Sequence, residues 1–457
     1  MEKITTGEIA AAVGGKLRGS EEIIIERITT DSRNCATGDL FIGIEGERFN
    51  GNDFAESCLD CAAAVLTDRS ISPPEGKCVI EVSDTKKALR DLAAYYRGKF
   101  TLTVVGVTGS VGKTSTKDMI ASVLSQGFKT LKTQGNFNNE IGLPLTVFNL
   151  SSEHEAAVLE MGMNSFGEIS RLTAIARPSI AVITNIGTAH IGKLKTQQNI
   201  LKAKLEILEK LAPGGLVVLN GDDKILYSLK GKLPHSVIYY GIDNHMADVI
   251  ASDIVLGNDK SRFKVEVGGE SHSFVINEVG QHHIYNALAA IIIGLYLKMH
   301  TKDIEKGVAE FKTGNMRQSI TRTGGITIID DCYNASPSSM KAALKVLSQL
   351  GGANRTIAVL GDILEQGSYS EKAHREVGAA VAEFEIKRLI TVGEDAKFIA
   401  KEAEKRGMTD SVSFSSNAEA AKYLAGEVKK GDTVLFKASR GMHFEEISDY
   451  LKKSLGE

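Results

Sequence analysis

A lysine and a threonine open a helix-like segment behind a glycine-rich turn in "TVVGVTGSVGKTSTKDM", residues 103–119. An apolar strand feeding such a loop brings backbone N–H groups, the Lys113 ammonium and a helix N-terminus to one point, which suits a polyphosphate. Thr114 would then ligate Mg²⁺, and Gly109, Ser110, Gly112 and Ser115 complete the candidate phosphate-binding set. The spacing is a variant of GxxxxGK[ST], because Val107 stands five residues before Gly112 and the glycines fall at Gly106 and Gly109. A strand-turn-helix without a ligand is the plain alternative, but it has no use for Lys-Thr at the helix start.

Polar residues at the ends of apolar runs are the next candidates, since ligands of open α/β sheets gather at the carboxyl ends of strands. Glu160 ends "AAVLE", His190 lies just past "SIAVITNI", and Asp330 and Asp331 end "ITIID". Taken alone, Glu160 is as readily a loop carboxylate as a metal ligand, and His190 a structural histidine. Beside a phosphate loop they gain, because Mg²⁺ on phosphates needs one or two carboxylates to complete its oxygen shell. A histidine is unusual for magnesium and points to a second, less conventional metal position.

Lys204, in "NILKAKLEILEKL", is placed oddly for a charged residue. At ~100° per residue, Ile200, Leu201, Leu205, Ile207, Leu208 and Leu211 share one helix face while Lys202, Glu206 and Lys210 occupy the other. Lys204 falls within the apolar face. A desolvated lysine there has a lowered pKa and offers a neutral amine, which can take up CO₂ to become an anionic carbamate. The helix alone favours the other outcome, an amine that snorkels to the rim of the core.

These residues need a scaffold of several α/β units. At 457 residues the chain divides into roughly three domains at ~150 residues each. Short strands such as "DLFIGIEG" and helices such as "DTKKALRDLAAYYRGK" are expected in residues 1–99. In residues 100–314, "FTLTVVGVTG", "EAAVLEMG", "SIAVITNIG" and "GLVVLNGDD" alternate with helices, predicting a parallel sheet covered on both faces. A β-rich interlude, "RFKVEVGGESHSFVIN", interrupts this unit before a buried helix, "HHIYNALAAIIIGLYLKM". Residues 315–457 repeat the alternation with "ITIIDDCYN", "RTIAVLGD", "KRLITVGED" and "DTVLFKASR", a Rossmann-like third domain.

Composition narrows the partners. With 54 basic and 57 acidic residues the formal charge is −3, so nothing draws the chain to nucleic acid or an anionic membrane. No apolar run approaches the ~20 residues of a membrane span, and the first residues lack a hydrophobic signal region, so a cytoplasmic protein acting on small molecules is expected. The five cysteines include one C-x-x-C, but no second pair completes a zinc site. Cys58 and Cys61 are therefore expected to be reduced, helix-borne packing residues.

The segments "GVTGSVGKTSTKDM", "TQGNFNNEIGLPLTVFNL", "LEMGMNSFGEISRL", "ITNIGTAHI", "ILKAKLEIL", "GQHHIYNALAA" and "IIDDCYNASPSSMKAAL" occur in the order seen in the Mur ligases of peptidoglycan synthesis, which the chain resembles over nearly its whole length. The resemblance is closest to the member that joins D-alanyl-D-alanine to UDP-N-acetylmuramoyl-tripeptide. It implies an ATP-dependent, ADP-forming ligase with an N-terminal UDP-substrate domain (1–99), a central ATP-binding domain (100–314) and a C-terminal domain receiving the dipeptide (315–457). It implies that Lys113 and Thr114 meet the ATP phosphates and Mg²⁺, that Glu160 binds the first magnesium, and that His190 with carbamylated Lys204 binds the second. Asn286 would read the adenine, with Arg317 and Asp331 touching the nucleotide from across the cleft. Asn136, Asn138, Asn139 and Asn334 would meet the muramoyl peptide, and Thr30, Asp31, Ser32 and Arg33 the uridine side. For these polar strips ordinary turn chemistry is the alternative. A monomer is expected.

Three stretches depart from the family's pattern: "GHxF" is Gly51-Asn52-Asp53-Phe54, "GxHN" is Gly280-Gln281-His282-His283, and "KGSR" is Lys437-Ala438-Ser439-Arg440. Two rivals share parts of the machinery. A sister Mur or folylpolyglutamate-type ligase would add a single amino acid, and a nucleotide switch would keep the loop without any need for Lys204.

Overall fold

The computed structural model describes residues 1–46, 48–314 and 316–456. The expected third segment begins and ends on residues outside this description. Three separate α/β sheets follow one another along the chain, with a two-stranded pairing of Ile4–Thr5 and Ile24–Ile25 at the start.

The first sheet orders Lys16–Arg18, Cys78–Glu81, Ala64–Thr67, Asp39–Ile42 and Arg27–Thr29, parallel except for its first pair. Its inner strands are continuous apolar runs because both faces are covered. The helix Thr85–Gly98 is capped by Asp84 and buries Ala88, Leu89, Leu92, Ala93 and Tyr96. Its far end ties the first segment to the second: Tyr96 Oη donates to the Leu150 carbonyl at 2.7 Å and Arg97 Nε to that of Ala176 at 3.1 Å. All five cysteines are free thiols. Cys58 ends the helix Ala55–Cys58 and is buried as expected, whereas Cys61 lies in the turn beyond it because the helix stops after one turn.

The central sheet has nine strands. Thr130–Lys132, Ala156–Glu160, Thr103–Thr108, Ile180–Ile183, Leu216–Asn220, Ser236–Gly241 and Val249–Leu256 run parallel in that spatial order. The β-rich interlude extends this sheet rather than interrupting it, since Ser261–Val267 and Glu270–Ile276 add an antiparallel hairpin to its edge. Gly268 and Gly269 both have positive φ (60° and 86°), as a tight turn between such strands requires. The helix His282–Tyr296 is buried along most of its length against Lys113–Leu124. Among the described residues no helix is long and apolar enough to cross a membrane.

The third sheet orders Ser319–Thr323, Ile326–Asp330, Thr433–Lys437, Thr356–Gly361, Arg388–Val392 and Ser411–Phe414, parallel after its antiparallel first pair. It docks on the central segment through the helix Pro337–Gly351, whose Lys345 donates to Gln281 Oε1 at 2.6 Å and Gln349 to the Gly257 carbonyl at 2.8 Å.

Candidate active site

The strand Thr103–Thr108 lies inside the central sheet, between Ala156–Glu160 and Ile180–Ile183, so the loops after all three open at one edge. The glycine-rich loop is shaped by its neighbour. Ser110 N donates to the Asn185 carbonyl and Val111 N to Asn185 Oδ1, each at 3.0 Å, while the Val111 carbonyl accepts from Thr184 Oγ at 2.6 Å. A Cβ on Gly109 would fall 1.8 Å from Thr184 Oγ, so only glycine fits there. Gly112, at φ 83°, precedes the helix Lys113–Leu124, which has no side-chain cap and presents its first N–H groups to the cleft. Thr184 and Asn185 were not among the expected site residues. Their signal was a polar pair directly after an apolar strand.

Thr114 Oγ donates to Glu160 Oε2 at 2.7 Å, and Asn138 Nδ2 to Glu160 Oε1 at the same distance. Glu160 is 1% exposed, and its backbone N–H donates to Thr133 Oγ. Lys117, buried behind the loop, donates to the Thr133 carbonyl at 2.6 Å and ties the phosphate-loop helix to the asparagine-rich segment. Asn139 caps the helix Gly142–Val147 through Gly142 N at 2.8 Å, and Asn136 lines the cleft. Lys113 is half-buried, with its amine 3.1 Å from the Gly109 carbonyl. Burial lowers its pKa, the charge of Glu160 opposes this, and Arg317 adds to it.

His190 starts the short helix Ile191–Leu194 in the left-handed region, φ 62°, and its Nδ1 lies 3.0 Å from Glu365 Oε2 of the third segment. Burial, the Lys113 charge and Lys204 depress its pKa, with Glu365 acting the other way, which favours the neutral imidazole. Lys204 is 2% exposed on the helix Gln197–Leu205. The snorkelling alternative is thereby excluded. Burial, followed by the Lys113 charge, pushes its amine well below the ordinary lysine range.

Glu206 departs from the expected solvent face. The helix tightens into a 3₁₀ turn at Glu206–Leu208, which swings Glu206 inward, where its carboxylate accepts from Gly167 N at 2.8 Å and Ser170 N at 3.1 Å. It caps the helix Glu168–Ala176, whose own cap residue is a glycine. Glu206→Ala is expected to destabilise the protein by about 1–3 kcal/mol, because two partly buried N–H groups lose a charged acceptor. Chemical denaturation of the two proteins measures the difference; equal midpoints would contradict this capping role.

The far wall comes from the third segment. Asp330 and Asp331 point apart: Asp330 accepts from Ser448 and from Lys452 at 2.7 Å, whereas Asp331 lines the cleft and accepts from Lys437 Nζ at 2.6 Å. Lys437 also donates to the Asn334 carbonyl. Arg317 lies over the Tyr333 ring, 3.8 Å from its centroid. Asn286, on the central helix, accepts from Thr116 Oγ at 2.8 Å. In the departing Gly280–His283 stretch, His283 is 1% exposed with neither ring nitrogen hydrogen-bonded to a described residue, packed between His282 and Phe311. Ser439 Oγ is taken by Leu364 N, and Arg440 pairs with Glu445. Asp31 and Arg33 do not line the cleft. They form a turn on the first segment, Asp31 accepting from Arg33 and Asn34, which holds the Asp31 carboxyl down at about 2.

Lys113, Thr114, Glu160, His190, Asn286, Arg317 and Asp331 line one cleft of about 730 Å³ between the central and third segments, within the range of small-molecule sites, and Lys204 is not among its lining residues. Among the described residues no three His, Cys, Asp or Glu side chains converge on one point, so a metal here draws further ligands from phosphate and water.

Residues 24–97 match the Mur ligase family catalytic domain, 107–294 the Mur ligase middle domain, and 316–440 the Mur ligase glutamate ligase domain. A UDP-N-acetylmuramoyl-tripeptide–D-alanyl-D-alanine ligase of Bacillus subtilis (strain 168) is 41% identical over 456 residues, 98% of each chain. The crystal structure I of MurF from Acinetobacter baumannii superposes with a TM-score of 0.91 at 32% identity, covering 99% of both chains. The MurF ligase of Thermotoga maritima in complex with ADP has a TM-score of 0.84 at 29% identity, covering 94% of this chain and 98% of that one. A full-length relative at this identity, the three domain matches and the shared fold agree: the chain belongs to the Mur ligase family, in its UDP-N-acetylmuramoyl-tripeptide–D-alanyl-D-alanine ligase (MurF) branch.

Proposed function

We propose that this chain joins D-alanyl-D-alanine to UDP-N-acetylmuramoyl-tripeptide at the expense of ATP, giving the UDP-pentapeptide precursor of peptidoglycan. The observation that carries the reading is the cleft in which an uncapped helix start and the Thr114–Glu160 pair face a second α/β segment, with the charge of Lys113 in that cleft bearing on the buried Lys204 amine. The Bacillus subtilis relative bears this activity in its name, and the Thermotoga maritima neighbour holds ADP. A cytoplasmic, monomeric enzyme is part of the proposal, as are a uridine-side role for the Asp31–Arg33 turn and a muramoyl-peptide role for Asn136, Asn138, Asn139 and Asn334. The segments 1–99, 100–314 and 315–457 would respectively hold the UDP substrate, ATP and the dipeptide.

In this reading Gly109, Ser110, Gly112, Lys113, Thr114 and Ser115 take the phosphates, Asn286 the adenine, and Arg317 and Asp331 reach the nucleotide from the far wall. The acceptor's terminal carboxylate attacks the γ-phosphorus, the bond to the β,γ-bridging oxygen breaks, and ADP leaves an acyl phosphate. The dipeptide amine then attacks the acyl carbon, the bond to the phosphate oxygen breaks, and the amine proton is lost. Both partners of the first step are anions, so Lys113 and the loop N–H groups act by positioning them and offsetting charge. Closure of the third segment over the cleft keeps water from the acyl phosphate.

The donors fit the proposed cofactors. Thr114 and Glu160 offer the oxygen ligands that Mg²⁺ prefers. The Lys204 amine makes no hydrogen bond or ion pair to a described residue, burial disfavours its charged form, and in its neutral form it can bond CO₂ carbon and release one proton, leaving a carbamate. With His190, that carbamate would supply the second Mg²⁺ position. Two bound ions would add positive charge against the transferred phosphoryl group.

A ligase that adds one amino acid is the runner-up. Sustained phosphate release is expected only when UDP-MurNAc-tripeptide, ATP, Mg²⁺ and D-alanyl-D-alanine are all present, with one ADP formed per peptide bond. D-alanine or L-amino acids should be poor substitutes, because a site made for a dipeptide leaves polar groups unpaired around a shorter amine. Mass spectrometry of the product distinguishes the readings, and efficient coupling of L-lysine, diaminopimelate or glutamate would overturn this one.

A further inference from the structure

The contact between His190 and Glu365 joins two segments of the chain across 175 residues, with Nδ1 and Oε2 at 3.0 Å. Both residues hold left-handed backbones, His190 at φ 62° and Glu365 at φ 63°, a conformation that costs energy in side-chain-bearing residues and persists only where the surroundings impose it. The surroundings are tight. A Cβ on Gly192, two residues past the histidine, would meet the Glu365 carbonyl at 2.6 Å and the Gly367 nitrogen at 3.2 Å. On the third segment the loop is anchored from behind, Ile363 N donating to His374 Nε2 and Leu364 N to Ser439 Oγ, each at 2.9 Å.

This arrangement adds little as an interdomain clamp. The Glu365 side chain is 58% exposed and His190 23%, and pairs so open to water contribute about 0–1 kcal/mol. Its chemical consequence is larger. A ligating histidine is commonly oriented by a carboxylate that accepts from its other ring N–H, which sets the tautomer. We propose that Glu365 is a positioning residue for the metal site: by accepting from His190 Nδ1–H it turns Nε2 into the free, lone-pair-bearing nitrogen. The acceptor is carried by the third segment and the ligand by the central one, so the metal position is completed when the two segments meet. The Ser439 of the departing Lys437–Arg440 stretch has a role here, as a support for the loop that delivers Glu365. This inference rests on the reading of His190 as a metal ligand.

The test counts and weighs bound Mn²⁺ by electron paramagnetic resonance, in the presence of a non-hydrolysable ATP analogue and UDP-MurNAc-tripeptide, for the wild type, His190→Ala, Glu365→Ala and Glu365→Gln. Two ions are expected on the wild type and one on His190→Ala. Glu365→Ala should weaken one ion about 10–100-fold and leave the other unchanged, the usual size of such a loss. Glu365→Gln, whose amide oxygen still accepts, should recover most of that affinity. Thermal melting should differ little among the Glu365 variants, since the side chain is exposed. If Glu365→Ala holds both ions as tightly as the wild type while His190→Ala loses one, Glu365 has no positioning role and the His190 reading survives. Retention of both ions by His190→Ala would remove the ligand reading and this inference with it.

Discussion

Lys113→Ala is expected to lower ATP-dependent turnover by about 10²–10³-fold or more at saturating ATP, while the protein remains folded. The magnitude follows from removing one preorganised cationic donor from a site where charge develops on phosphate oxygens. Folding should be spared because among the described residues the amine makes a single hydrogen bond, to the Gly109 carbonyl, and because holding its charge in the half-buried cleft is itself unfavourable. The loop does not depend on it: Thr184 and Asn185 hold Ser110 and Val111 from the neighbouring strand. Phosphate release measured beside circular dichroism separates the two effects. Near-wild-type turnover would remove Lys113 from the phosphate site.

Lys204→Ala should lose activity to a similar extent, about 10²-fold or more, by a different route. The side chain is enclosed and burial disfavours its charged form, and its proposed contribution is a pair of carbamate oxygens. A short carboxylic acid diffusing into the space left by Lys204→Ala supplies equivalent oxygens and should restore part of the activity. Removing dissolved CO₂ from the wild type should lower turnover reversibly. Lys204→Met serves as the structural control, filling the same volume without a polar atom. It should be inactive, should not respond to the acid, and should melt no lower than the wild type, because a buried amine without a partner costs folding energy. Wild-type activity in Lys204→Ala would end the carbamate proposal.

Much of this site was legible along the chain, where the controlling interactions are local. Gly112, Lys113 and Thr114 are adjacent, and a strand, a left-handed glycine and a helix start follow from their own conformational preferences. Lys204 stood out because helical periodicity alone put it among leucines and isoleucines, and it is buried there. The long apolar strands of the central and third sheets were readable for the same reason. Short or half-exposed strands such as Thr130–Lys132 and Ser411–Phe414 carried too little apolar signal.

By itself the amino-acid sequence determined the glycine-rich loop ahead of a Lys-Thr helix start, the strand-end position of Glu160, the lysine within an apolar helix face and a succession of α/β units, all of which show in local pattern. Only the tertiary structure decided which of Asp330 and Asp331 enters the cleft, because neighbouring strand-end side chains point to opposite sides and the packing of the helix Glu445–Ser454 claims the first. It alone turned Glu206 inward, through a local tightening of the helix that periodicity at a fixed angle does not register. It alone brought Glu365 to His190. That contact depends on sheet order and on how two segments dock, and neither is written in the spacing of residues 175 positions apart.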